Sequence, residues 1–125
     1  MTAILDAGAL VAVDKRDRRV GAMLMLLHRD EVPVRTSAAV VSQVWRDGSR
    51  QANLARLLRG VDAVALDATS SRRVGELLGV SRRADVVDAH VASLVSPGDL
   101  VLTSDEPDVR ALLRTRRVKA TVVRV

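Results

Sequence analysis

AILDAGALVAV, Ala3 to Val13, holds two kinds of apolar pattern joined by a single acid. Ala3 to Leu5 is short and wholly apolar, as suits a strand buried on both faces, and Gly8 to Val13 reads as a short helix. The same alternation recurs down the chain. Arg18 to Arg29 predicts a longer helix, and Val34 to Thr36 a strand. Ser37 is a good N-cap for a helix over Ala38 to Arg46, which Gly48 stops. Asn53 to Arg59 predicts a helix, and Ala63 to Leu66 a strand. Asp67 or Thr69 then caps a helix running to Leu78. Val86 to Val95 predicts a helix closed by Ser96-Pro97-Gly98. Leu100 to Thr103 predicts a strand, Asp108 to Arg114 a helix and Ala120 to Val123 a last strand. Apolar strands alternating with helices specify an α/β fold, its parallel sheet covered on both faces.

A chain of 125 residues, 48% of them apolar, is expected to form one domain over residues 1–125 with a core of its own. It has no cysteine, which excludes disulfides, CxxC redox chemistry and thiolate zinc sites. The two histidines, His28 and His90, are too few for a His-rich metal centre and are expected on helix surfaces. The apolar runs are too short to cross a bilayer. MTAILDAGALVAVDKRD also lacks a basic segment before its apolar run, so a cytoplasmic protein with no membrane partner is expected. The net charge of +5 and pI near 11.1 favour a polyanionic partner. All but Lys15 and Lys119 of the 20 basic residues are arginine, a bias that GC-rich coding also produces. Trp45 is the one aromatic and is expected in the core or at an interface. Recognition by stacking bases on several aromatics is therefore excluded, and any RNA is met at its backbone.

Ligands of open α/β sheets gather beyond the carboxyl ends of the strands. Three predicted strands end in an acid: Ile4-Leu5 in Asp6, Val64-Ala65-Leu66 in Asp67, and Val101-Leu102-Thr103-Ser104 in Asp105. Asp88 sits among apolar neighbours of its helix, and Asp85, three residues before, shares its face. Asp67 is most simply an N-cap. Asp85 and Asp105 also stand where a cap would, with Asp88 in a first turn that the helix dipole favours. Asp6 has the least structural explanation. An acid cluster without histidine or cysteine is a hard-oxygen site suited to magnesium or manganese. A divalent ion would also remove the repulsion among crowded carboxylates.

Four segments, in this order, resemble the PIN-domain family and in particular the VapC-type toxins of bacterial toxin–antitoxin pairs. They are ILDAGALVA (Ile4 to Ala12), TSAAVVSQVWRDG (Thr36 to Gly48), ADVVDAHVA (Ala84 to Ala92) and VLTSDEPDVRAL (Val101 to Leu112). The resemblance implies a three-layer α/β/α sandwich with a central, mostly parallel sheet. It implies a magnesium- or manganese-dependent endoribonuclease acting on RNA, a cognate antitoxin and a homodimer. Asp6, Asp88 and Asp105 carry over as catalytic acids and metal ligands. Asp85 and Asp108 carry over as flanking acids, and Ser104 as a partner for a ligand water. Arg46, Arg82, Arg83, Arg110 and Arg114 are candidate phosphate contacts. The departure is Gln43, where the family has an acid, usually Glu. Its carbonyl can still face an ion, but the site loses one charge. Ala7 and Gly8 replace the small hydroxyl residues that often follow the first acid. Two readings follow: an active ribonuclease, or a weakened or inactive PIN-like module that binds an antitoxin or RNA. A phosphoacceptor domain resembling response regulators would need a lysine after the last strands, a place that neither Lys15 nor Lys119 takes.

Overall fold

Seven helices and five strands follow one another along residues 1–125, all of which are described by a computed structural model. The elements are β1 (Ala3–Leu5), α1 (Ala7–Asp14), α2 (Arg18–Arg29), β2 (Val34–Ser37), α3 (Ala38–Val44), α4 (Ala52–Leu58), β3 (Asp62–Val64), α5 (Ala68–Ser81), α6 (Val86–Ser93), β4 (Leu100–Thr103), α7 (Glu106–Arg116) and β5 (Thr121–Arg124). The strands form one sheet in the order β3-β2-β1-β4-β5, and every pairing is parallel. β1 is therefore central. Its residues Ala3, Ile4 and Leu5 are wholly buried, which is why the strand tolerates no polar side chain. One helical group forms as α1 packs against α2, α3 and α4; α5, α6 and α7 pack on one another as the second. The result is a three-layer α/β/α sandwich. Ile4, Leu5, Leu10, Val101, Leu102 and Leu112 are among its core, each worth roughly 1.5–3 kcal/mol of burial.

Some boundaries differ from those the local pattern predicts. α3 stops at Val44, because Trp45 turns extended. Buried Gln51 holds that turn: its Oε1 accepts from the Arg46 and Asp47 N–H groups at 2.7 and 3.1 Å, and its Nε2 donates to Val44 O at 3.0 Å. α7 begins at Glu106, with Pro107 in its first turn, where a missing N–H costs nothing. Trp45 is partly exposed and lies over Gly48. His28 is on the surface as expected, but His90 is not: it is fully buried, its Nδ1 2.6 Å from Ser37 Oγ. The local pattern of α6 does not disclose that the end of β2 covers it.

Both sheet edges carry charge. On β3, Asp62 pairs with Arg35 at 3.1 Å. On β5, the carbonyls facing away from β4 accept from arginines, Val122 from Arg110 at 3.3 Å and Arg124 from Arg19 at 2.9 Å.

Gly8, in the first turn of α1, lies against the loop after β4. A Cβ there would sit 2.4 Å from Ser104 Oγ and 2.9 Å from Ser104 N. Gly8→Ala is therefore expected to destabilise the chain by about 1–3 kcal/mol, outweighing the roughly 1 kcal/mol of helix propensity it gains. Urea unfolding checks this. Ser104→Gly in the same chain should restore part of the loss, and an unchanged midpoint for Gly8→Ala would contradict the close approach.

Candidate functional site

β1 and β4 lie side by side at the centre of the sheet, where the strand order reverses and a crevice opens beyond their carboxyl ends. Asp6 follows β1 directly and caps α1, its Oδ1 accepting from the Ala7 N–H at 2.7 Å. Its Oδ2 accepts from the Thr103 hydroxyl at 2.6 Å, a charge-assisted bond in a place where Asp6 is only 4% exposed. Thr103, the last residue of β4, also accepts the Asp105 N–H at 2.9 Å. One buried hydroxyl thus joins the two strand ends and sets the direction of the chain into α7. Asp105 stands at the N-cap position of α7 yet makes no capping bond with its side chain, so its carboxylate is left for other work. Asp85 does cap α6, accepting from the Asp88 N–H at 2.9 Å. Asp67 forms a capping box with Ser70, the role expected of it.

Asp88, Asp105 and Asp108 each offer a carboxylate oxygen, and these oxygens all lie within 4.8 Å of one another. The Asp88 carboxyl is pushed up to about 7, first by burial and then by the charges of Asp6, Asp85 and Asp105. Asp6 is therefore an electrostatic neighbour of Asp88, though outside the group of three whose oxygens converge. Asp108 is closer than a flanking role implied. With α7 starting at Glu106, Asp105 and Asp108 stand one turn apart, a spacing visible in the sequence once the helix start is known. Thr103 is the residue that reading for acids missed; its signal was a hydroxyl closing a buried strand two residues before an acid.

The cleft beside this cluster has a volume of about 300 Å³ and is lined by Arg82, Arg83, Asp85, Asp88, Asp108 and Leu112, together with Ala84. Arg83 forms an ion pair with Asp108. Of the candidate phosphate contacts, Arg82 and Arg83 line this cleft. Arg110 and Arg114 line a different one beside β5, and Arg46 is turned onto the carbonyls of Ser42 and Trp45. Gln43 lies in the last turn of α3, exposed, and outside the cleft lining. The donors are all carboxylate oxygens, the set that suits a hard divalent cation, and such an ion would relieve the crowding that holds Asp88 protonated.

That crowding has a pH signature. Asp88 is raised from 3.8 to about 7 in the folded chain, so the folded state holds a proton that the unfolded state releases. Stability without a divalent ion is therefore expected to be highest below about pH 4 as far as this group is concerned, and to fall as pH rises through 7. Thermal unfolding in a chelator across that window checks it. Asp88→Asn should flatten this part of the profile.

No protein-family model matches the sequence, and no curated protein matches it. The structure is similar to VapBC2 from Rickettsia felis, solved bound to a DNA fragment from its promoter. The match covers 100% of this chain and 99% of that chain, with a TM-score of 0.63 and 16% sequence identity. No helix is long and apolar enough to cross a membrane. With five parallel strands between two helical layers, the chain has a three-layer, PIN-like α/β/α fold, the fold that it shares with VapBC2.

Proposed function

We propose that this chain is a divalent-metal-dependent endoribonuclease of the VapC kind, hydrolysing RNA phosphodiester bonds, with residues 1–125 as one catalytic domain. The observation that carries the reading is the convergence of Asp88, Asp105 and Asp108, with Asp6 beside them, at the switch point of a PIN-type sheet. Asp6, Asp88 and Asp105 are the catalytic acids, and Asp108 joins Asp88 and Asp105 in holding magnesium or manganese. Asp6 has one lone pair on each oxygen engaged by Ala7 and Thr103, and keeps the remainder for the ion. Asp85 adds negative charge from the cap of α6. The ion, when bound, activates water and stabilises the charge that develops on the phosphoryl oxygens. Asp88 gives up its proton as the site fills. Arg82 and Arg83, on the cleft wall, hold the phosphates flanking the scissile bond.

The likeness to VapBC2 supports a cognate antitoxin as partner. The apolar face of α2, where Met25 is 75% exposed and Leu26 about half, would seat a segment of it, with a basic residue directed at the carboxylates. The proposal includes a cytoplasmic homodimer. The second reading, a weakened module that binds but does not cut, rests on Gln43 alone.

Manganese titration by calorimetry and a cleavage assay on RNA together test these readings. Asp88→Asn and Asp105→Asn are each expected to lower ion affinity and cleavage by about 100-fold or more. Gln43→Glu adds a charge on the α3 side and is expected to tighten the ion by about tenfold. Equal affinities for wild type and Gln43→Glu would remove Gln43 from the site. Ion binding without any cleavage would favour the inactive module.

A further inference from the structure

We propose that a second cleft, between the C-terminal half of α7 and edge strand β5, grips the phosphodiester backbone of single-stranded RNA at a place separate from the acid cluster. This cleft has a volume of about 300 Å³. Arg110, Arg114 and Lys119 are the charged residues lining it; its other walls are apolar, with Leu113, Val118 and Val122 among them, and no acid lines it.

The three cations are not equivalent. Arg110 is fixed, its Nε donating to Glu106 at 2.8 Å and a terminal nitrogen to Val122 O at 3.3 Å. Arg114 and Lys119 are exposed and take part in no ion pair and no side-chain hydrogen bond. The negative end of the α7 dipole accounts for a basic residue at Arg114. It does not account for Lys119, which lies beyond the helix on the strand side of the cleft. Both side chains have donors and no acceptor, so the ligand must supply acceptor oxygens and negative charge.

A nucleic-acid backbone is favoured by where the cleft lies. Asp108 stands in the first turn of α7 and Arg114 in its last, six residues or about 9 Å along the axis. The same helix thus carries both, on faces about 120° apart, so a strand reaching from the acids to the cleft would wind about a third of a turn around α7. With five of the fifteen acids gathered at the crevice and Arg82 and Arg83 lining it, ten acids face eighteen basic residues elsewhere, so the surface beyond the cluster is cationic. The lining offers cations and aliphatic walls and no aromatic side chain, so the grip falls on phosphates rather than on stacked bases.

The test is fluorescence anisotropy of a labelled oligouridine RNA of about 20 nucleotides with the whole chain in a chelator, as a function of salt. No cleavage is needed, so failure of the nuclease reading leaves this readout intact. Arg114→Ala/Lys119→Ala is expected to weaken binding by about tenfold and to reduce the salt slope by roughly 1.4. Arg114→Lys/Lys119→Arg should restore both. Arg56→Ala/Arg59→Ala, on the helix that leads into the opposite edge strand, should change affinity less than about twofold. The proposal is overturned if wild type binds no RNA, if the two alanine pairs lose equal affinity, or if affinity and slope survive Arg114→Ala/Lys119→Ala. Tighter, equally sensitive binding of duplex DNA or of polyglutamate would overturn it as well.

Discussion

The Thr103 hydroxyl donates to Asp6 Oδ2 at 2.6 Å and accepts from the Asp105 N–H at 2.9 Å. It is fully buried, so neither bond competes with water, and losing either would strand a buried polar group at a cost of about 1–3 kcal/mol. The ends of β1 and β4 and the acids that follow them are placed relative to it. It holds the first acid against the end of β1 and turns the chain after β4 so that α7 starts at Glu106. That start in turn puts Asp105 and Asp108 on one side of the helix. The acids come from three separated parts of the sequence, and a single short side chain between two central strands fixes the geometry of two of those parts.

The resulting cluster works against the stability of the chain that builds it. Burial and three neighbouring carboxylates push the Asp88 carboxyl up to about 7, so near neutral pH about half of it keeps its proton. Arg83 balances some of the charge by pairing with Asp108, while Arg82 sits beside it in left-handed backbone, a conformation costing an arginine roughly 1–2 kcal/mol. The ends of these strands are thus arranged for a cation and for anionic oxygens rather than for tight packing. A site of this kind is recognised by the energetic penalties concentrated in it as much as by the identity of its residues.

Much of this was legible in the sequence, for local reasons. β1, α2 and β4 begin and end where their apolar patterns do. The cap at Ser37 was visible from the side chain and its position, and so was the N-cap at Asp67, which the fold completes as a capping box with Ser70. The acids at the ends of β1 and β4 could be found because a parallel sheet places its ligands there. What escaped was set by distant contacts. The end of α3 is fixed by Gln51, seven residues beyond Val44, and nothing in Ala38 to Arg46 announces it. His90 lies among apolar neighbours in α6, and Ser37, more than fifty residues earlier, gives its ring a buried partner. Asp108 was legible only as a flanking acid and Thr103 had no assigned part, because their places depend on where α7 starts and on how β4 lies against β1. Gly8 reads as a lost hydroxyl in a family comparison. In the folded chain it is the space into which Ser104 fits.

The arginines laid along β5 bear on how copies of this chain meet one another. A parallel sheet with an open edge can keep adding strands, and such growth is the usual route from a small α/β protein to an insoluble aggregate. Here the carbonyls that an incoming strand would need at Val122 and Arg124 are already engaged by Arg110 and Arg19. The opposite edge ends in a short strand with a charged pair, Arg35 and Asp62, at its margin. Growth of the sheet is thus disfavoured at both edges, by engaged carbonyls on β5 and by charge on β3.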